Sequence, residues 1–268
     1  MSHISEKLFR LKEVLSNYDS LLIAYSGGVD STFLARVAYD VLGDNAIAVT
    51  ATSYSYPQRE LSEAIEFAKQ IKIKHIIVKS EELEVEGFSS NPANRCYLCK
   101  KELFTKLKNV AKEYGLASIA EASNIDDEGD YRPGMQATKE LGIISPLRLA
   151  NLTKNDIREL SKQLGLPTWS KPSFACLSSR FPYGDEITKE KLRMVEEAEQ
   201  FLFDLGFIQL RVRHHNNLAR IEVEEAEFDK LLSKENREIV YSKFKTIGFT
   251  YVSVDIKGYR MGSMNETL

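Results

Sequence analysis

The segment Ser26-Gly27-Gly28-Val29-Asp30-Ser31 places two glycines, two hydroxyls and a carboxylate within six residues. Adjacent glycines let the backbone turn tightly and bring successive N–H groups against an anion. A helix opening there adds unpaired N–H donors and the positive end of its dipole. Asp30 offers a carboxylate for phosphate-bound Mg2+, and Ser26 and Ser31 offer hydroxyl donors. The chain has no Gly-Lys pair, and no two glycines flank a single residue, so neither common glycine-rich nucleotide loop is present. A second constellation is Cys96-Tyr97-Leu98-Cys99, with Cys176 far along the chain. Such thiols can be a redox pair, a zinc site completed by His214 or His215, or ligands of an iron–sulfur cluster. Three thiolates suit a cluster with one open iron. Arg211 and Arg213 are two apart in a strand, so their guanidiniums share a face, with Arg180 a candidate third. Such a group suits carboxylates and phosphate. Lys101, just past the CxxC, is a candidate for a further phosphate or substrate contact.

The elements that must position these groups are legible in the apolar spacing. Ile4, Leu8, Leu11 and Leu15 make one helical stripe. Leu21 to Tyr25 is a short apolar strand that breaks at Gly27-Gly28, and Phe33, Leu34, Val37, Ala38 and Val41 continue as a helix. Strands at 46–51, 75–78 and 118–120 alternate with helices at 57–70, 98–114 and 153–164, the last with Thr153 and Asp156 in capping positions. This pattern predicts an α/β fold, a doubly wound parallel sheet covered by helices, with the glycine loop at the carboxyl end of its first strand. After a 172–184 loop the pattern changes. Helix 188–205, strand 207–213, a turn at His214-His215-Asn216-Asn217, strand 218–223, helical stretches to 247 and a strand at 251–256 follow. The expected organisation is one domain over 1–184 and a small α+β domain over 185–268.

Composition limits the partners. The 268 residues carry 36 basic and 39 acidic side chains and are 43% hydrophobic, as in an ordinary globular protein. Residues 185–268 hold 13 basic and 16 acidic groups, leaving 23 of each before them, so a nucleic-acid platform is disfavoured. One local basic excess runs through Arg95, Lys100, Lys101, Lys106, Lys108 and Lys112. The first apolar run is five residues, far short of the ~20 of a membrane span. Charged residues through 1–19 leave no signal-peptide core, and three cysteines make no disulfide framework. The expected location is cytoplasmic.

Ser26 to Ser31 resembles the signature loop of the PP-loop ATP pyrophosphatases, which cleave ATP between the α and β phosphates and adenylate a substrate oxygen. Further motifs follow in order: Glu121-Ala122-Ser123-Asn124-Ile125-Asp126-Asp127, Asp130-Tyr131-Arg132-Pro133-Gly134, Ser145-Pro146-Leu147, Pro172 to Arg180, and Arg211-Val212-Arg213-His214-His215. Together they resemble the LarE family of PP-loop sulfurtransferases across nearly the whole chain. The resemblance implies adenylation of pyridinium-3,5-biscarboxylic acid mononucleotide and replacement of the activated oxygen by sulfur, toward the nickel-pincer nucleotide cofactor. It implies ATP and Mg2+ as cofactors, pyrophosphate on the loop, Asp30 on magnesium, Asn124 on the nucleotide, and a homo-oligomer. Glu199 and Glu222 resemble acidic residues that form a second metal or subunit-contact site. Single-cysteine members sacrifice the sulfur of the residue matching Cys176. Three-cysteine members are held to carry sulfide on a 4Fe–4S cluster, the branch that Cys96, Cys99 and Cys176 fit. One departure is Ala122-Ser123 in place of glycine–threonine, which keeps a hydroxyl for the nucleotide. Competing readings are tRNA thiolation, opposed by the charge balance, an ammonia-dependent amide synthetase, which leaves the cysteines unused, and a zinc-stabilised nucleotide-binding adaptor.

Overall fold

An amphipathic helix, α1 (His3–Ser16), leads into the first strand, β1 (Leu21–Ala24). Leu21 and Ile23 join one apolar cluster and Leu22 another, so both faces of this strand are buried. The chain continues through α2 (Val29–Leu42), β2 (Ala46–Thr52), α3 (Gln58–Ile71), β3 (Lys74–Lys79), α4 (Arg95–Glu113) and β4 (Ser118–Ala120). The strands form one parallel sheet in the order β3-β2-β1-β4, with Ile144 adding a parallel bridge to Ala120. One face packs residues of α1, α2 and α3, and the other packs Phe104 and Leu107 of α4. Three further helices follow: α5 (Gly134–Glu140), α6 (Pro146–Leu149) and α7 (Lys154–Gln163). Thr153 caps α7 by accepting the Asp156 N–H at 3.2 Å, and Asp156 accepts the Thr153 N–H at 2.8 Å.

The computed structural model describes residues 3–127 and 133–267. Its chain makes two compact units, one of 1–82 with 96–174 and one of 83–95 with 175–268. This division differs from the 184/185 boundary expected from the sequence. Segment 83–95 joins the second unit through hydrogen bonds: the Asn91 side chain donates to the Phe181 carbonyl at 3.3 Å and the Pro182 carbonyl at 2.5 Å. The Gly184 N–H donates to the Asn91 carbonyl at 2.9 Å, and the Ile187 N–H to the Ser89 carbonyl at 2.8 Å.

The second unit holds α8 (Lys189–Asp204), β5 (Leu210–His215), β6 (Leu218–Val223), α9 (Phe228–Leu232), α10 (Lys234–Ile247) and β7 (Tyr251–Val254). Its sheet runs β5-β6-β7, antiparallel then parallel. His214 and His215, expected in a turn, belong to β5, and the turn is only Asn216-Asn217, with Asn216 at φ +52°. The His214 ring packs between Phe181 and Phe249, with centroids 5.2 and 5.5 Å away. Among the described residues no helix is long and apolar enough to cross a membrane.

Burial, with Lys191 adding, pushes His214 down to about 4. The unfolded chain takes up that proton near pH 6.5 and the folded one does not. Stability from a neutral His214 is therefore complete above about pH 6.5 and falls away toward pH 4. Urea melts of wild type and His214→Phe at pH 7.5 and pH 5 check this: the wild type should lose more stability on acidification, and equal losses would contradict it.

Candidate functional site

The glycine loop leaves the carboxyl end of β1 and runs directly into α2. Gly27 sits at φ +65°, and a Cβ there would lie 2.7 Å from the Ala64 Cβ on α3. Only glycine fits both the backbone angle and the close approach of α3. The Ser26 N–H donates to Ser31 Oγ at 3.2 Å, and the two hydroxyls are 3.1 Å apart, closing the loop. Among the described residues no side chain caps α2, so its first-turn N–H groups face outward from the helix for a ligand to use. Asp30, in that first turn, accepts from Asn124 Nδ2 at 3.3 Å and forms an ion pair with Lys154. The structure thus brings Ser26, Gly27, Gly28, Asp30, Ser31 and Asn124 together at one sheet edge.

Asn124 is held for this contact. It is buried, its Oδ1 accepts the Asp126 N–H at 2.9 Å, and its own N–H goes to Asp127 at 3.0 Å. Ser123 donates its hydroxyl to Glu121 at 2.5 Å, so the hydroxyl expected on the nucleotide is engaged by a neighbouring carboxylate. Glu121 also accepts from Ser145, which ties together two of the family-like motifs. Asp130, Tyr131 and Arg132 lie outside the described residues. Lys154 is a site residue that sequence reasoning missed. A lysine in the first turn opposes the helix dipole, and that misfit is the signal that could have found it.

Cys96 and Cys99 lie three apart at the start of α4, Cys96 exposed and Cys99 half-buried. The Cys99 thiol donates to Glu82 Oε2 at 3.1 Å, and Ser53 Oγ donates to Glu82 Oε1 at 2.7 Å. Lys101 is exposed, its ammonium 5.7 Å from the Tyr97 ring. The basic stretch is not one open patch: Lys106 pairs with Glu81 and Glu102, and the buried Arg95 binds Asn91 and the Ser178 carbonyl.

In the second unit Cys176 is exposed and forms no disulfide. Its loop is anchored by Arg180, whose Nη1 donates to the carbonyls of Ala175 at 2.7 Å and Cys176 at 3.0 Å. Arg180 is fully buried, and its Nε and Nη2 each donate to Glu199 at 2.8 Å. That pairing makes Arg180 an anchor of the cysteine loop. Glu199 is held below the usual carboxylate range: its burial acts upward, and the Arg180 charge and hydrogen bonds outweigh it. Arg213 donates to Glu222 at 2.7 Å and to Ser263 at 3.0 Å, while its buried Nε has no partner among the described residues. Glu199 and Glu222 are therefore committed to arginines. Arg211 lies with its guanidinium 5.0 Å from the Tyr259 ring, and burial, with Arg180 next, lowers it to about 10. It remains a cation at neutral pH. Among the described residues no three His, Cys, Asp or Glu side chains stand together as a metal site.

The NAD synthase family model matches residues 5–106, the stretch from α1 through the loop into α4. An uncharacterized protein of Synechocystis sp. is 45% identical over 99% of both chains. Pyridinium-3,5-bisthiocarboxylic acid mononucleotide synthase of Lactiplantibacillus plantarum is 36% identical, over 100% of this chain and 97% of its own. A glutamine-hydrolyzing GMP synthase polypeptide of Saccharolobus solfataricus is 28% identical over 80% of this chain and 64% of its own. The first two likenesses take in both compact units, cysteine loop included, whereas the NAD synthase match stops within α4. With the glycine loop at the end of β1 and a likeness running the full length, the chain belongs to the LarE family of PP-loop ATP-dependent sulfurtransferases.

Proposed function

We propose that this enzyme adenylates a carboxylate of pyridinium-3,5-biscarboxylic acid mononucleotide and then replaces the AMP-bearing oxygen with sulfur, on the way to the nickel-pincer nucleotide cofactor. In the first step a substrate carboxylate oxygen attacks the α-phosphorus of ATP, and the bond to the β-phosphate breaks to release pyrophosphate. In the second, a sulfur nucleophile adds to the acyl carbon and AMP leaves with the oxygen. The observation that carries this reading is the loop itself: open N–H groups of α2 beside a carboxylate that Asn124 and Lys154 hold in place.

Ser26, Gly27, Gly28 and Ser31 bind the phosphates, and Asn124 contacts the nucleotide. Asp30 suits Mg2+, since magnesium on a nucleotide takes one or two protein carboxylates and completes its shell with phosphate oxygens and water. Lys101 supplies a further positive charge for phosphate or substrate. Arg211 and Arg213 receive the substrate's anionic groups; the Nε of Arg213, unpartnered among the described residues, supports this, because a buried N–H without an acceptor is costly until a ligand supplies one. A 4Fe–4S cluster on Cys96, Cys99 and Cys176 would supply the sulfur as a sulfide on its open iron. Support comes from the chemistry of the donor set, three thiols outside any disulfide, two of them exposed. The working unit is a homo-oligomer in the cytoplasm.

The test is to incubate enzyme, ATP–Mg and mononucleotide and identify the nucleotide formed. AMP with pyrophosphate supports the proposal, and ADP with phosphate would overturn it. Arg211→Ala should raise the KM for the mononucleotide about 10- to 100-fold, as the loss of a charge-assisted hydrogen bond does. The KM for ATP should stay within about twofold, since Arg211 belongs to the substrate's anionic groups and not to the loop. A loss confined to ATP affinity would count against the assignment.

A further inference from the structure

Two carbonyls of the glycine loop are tied down by side chains from outside it. Tyr56 Oη donates to the Ser26 carbonyl at 2.9 Å, and Lys171 Nζ donates to the Gly27 carbonyl at 3.3 Å. The next carbonyl, that of Gly28, accepts the Thr32 N–H at 3.0 Å as α2 begins. The described chain has no cis peptide bond, and in a planar trans peptide the C=O and the following N–H point to opposite sides. Holding the Ser26 and Gly27 carbonyls therefore turns the N–H groups of Gly27 and Gly28 the other way, to the side a phosphate would occupy.

The two anchors are themselves held. Lys171 Nζ is 2.8 Å from Glu60 Oε2 and 2.7 Å from Glu63 Oε2, three residues apart on α3, with its side chain only 10% exposed. The Tyr56 hydroxyl is pushed well above its usual value, by burial first and by Glu60 next, so it stays a donor. Two adjacent glycines are the most flexible dipeptide the chain can place here, and freezing them on binding would cost affinity. An anchor on each carbonyl meets that cost during folding instead.

We propose that Tyr56 and Lys171 are positioning residues of the phosphate loop, fixing the Gly27 and Gly28 peptides so that their N–H groups are aimed before pyrophosphate or ATP arrives. The proposal rests on the reading of this loop as the ATP phosphate site. Neither side chain needs to touch the substrate.

Calorimetry with pyrophosphate–Mg and steady-state kinetics with ATP test it on Tyr56→Phe, Lys171→Met and Lys171→Arg. Tyr56→Phe removes one hydroxyl, and should weaken pyrophosphate binding roughly three- to tenfold, the worth of one hydrogen bond. The KM for ATP should rise by the same factor with kcat within about twofold, because ground state and transition state share the loop. Lys171→Met should cost about tenfold or more, the bond being charge-assisted, and Lys171→Arg should recover most of it. Should Lys171→Met fail to fold with the buried Glu60 left without its cation, Tyr56→Phe decides. A folded Tyr56→Phe protein with unchanged pyrophosphate affinity, or with kcat lowered and KM unchanged, overturns the proposal. A wild-type protein that binds no pyrophosphate overturns the reading of the loop, and the positioning role with it.

Discussion

Asp30→Asn should abolish ATP cleavage while leaving the protein folded. The substitution keeps the size of the side chain and removes one negative charge from the mouth of the loop. A metal that neutralises transferring phosphates is worth several kcal/mol in the transition state, so the rate should fall about a thousandfold or more. The structural cost is small by comparison. Asp30 and Lys154 are each about a quarter exposed on their side chains, and such ion pairs contribute about 0–1 kcal/mol. Losing an acid from the first turn of α2 removes about 0.3–1 kcal/mol more. Pyrophosphate release and a thermal melt measured together separate the two effects. Unimpaired turnover in Asp30→Asn would remove the carboxylate from the reaction, and a collapsed melt would make it a folding residue.

Cys176→Ala should stop sulfur transfer and spare adenylation. Cys176 is exposed, and Arg180 holds its loop through backbone carbonyls, which alanine retains. The change should therefore cost no more than about 0.5 kcal/mol of stability, as surface substitutions do. AMP and pyrophosphate should still form with the mononucleotide present, while thiocarboxylate falls below detection. Sulfur transfer surviving in Cys176→Ala would place the sulfur elsewhere. In wild type, an unchanged mass at Cys176 after many turnovers supports the cluster, and loss of one H2S from that residue supports a sacrificed cysteine.

The first unit was legible because its signals are local. Leu21, Leu22 and Ile23 are apolar on both faces, Gly27-Gly28 breaks the strand, and Thr153 with Asp156 announces α7, and each feature acts within a few residues. The second unit was read less well for the opposite reason. His214-His215-Asn216-Asn217 looks like a turn by composition, yet His214 is fixed by Phe181 and Phe249, some 35 residues away on either side. Segment 83–95 carries no apolar period, and its place follows from Asn91 bonding to carbonyls about 90 residues on. The site divides in the same way. Ser26, Gly27, Gly28, Asp30 and Ser31 form a contiguous motif that can be recognised in the sequence alone. Lys171 and Tyr56 reach the loop from outside it, and nothing in their own neighbourhoods marks them as phosphate-loop contacts, whereas Lys154 is marked only by its misfit in the first turn of α7. Arg180 reads in the sequence as a candidate third arginine for the substrate, and its complete burial against Glu199 is a tertiary fact.

On the proposed reading, ATP cleavage on this chain drives exchange of a carboxylate oxygen for sulfur. The most direct measurement is mass spectrometry of the mononucleotide after incubation with enzyme, ATP–Mg and a sulfide source under anaerobic conditions. The expected product has a carboxylate oxygen replaced by sulfur, forms with AMP and pyrophosphate in equal amounts, and is absent without ATP. A mononucleotide recovered unchanged while ATP is consumed, or converted to an amide when ammonia is supplied, would contradict it.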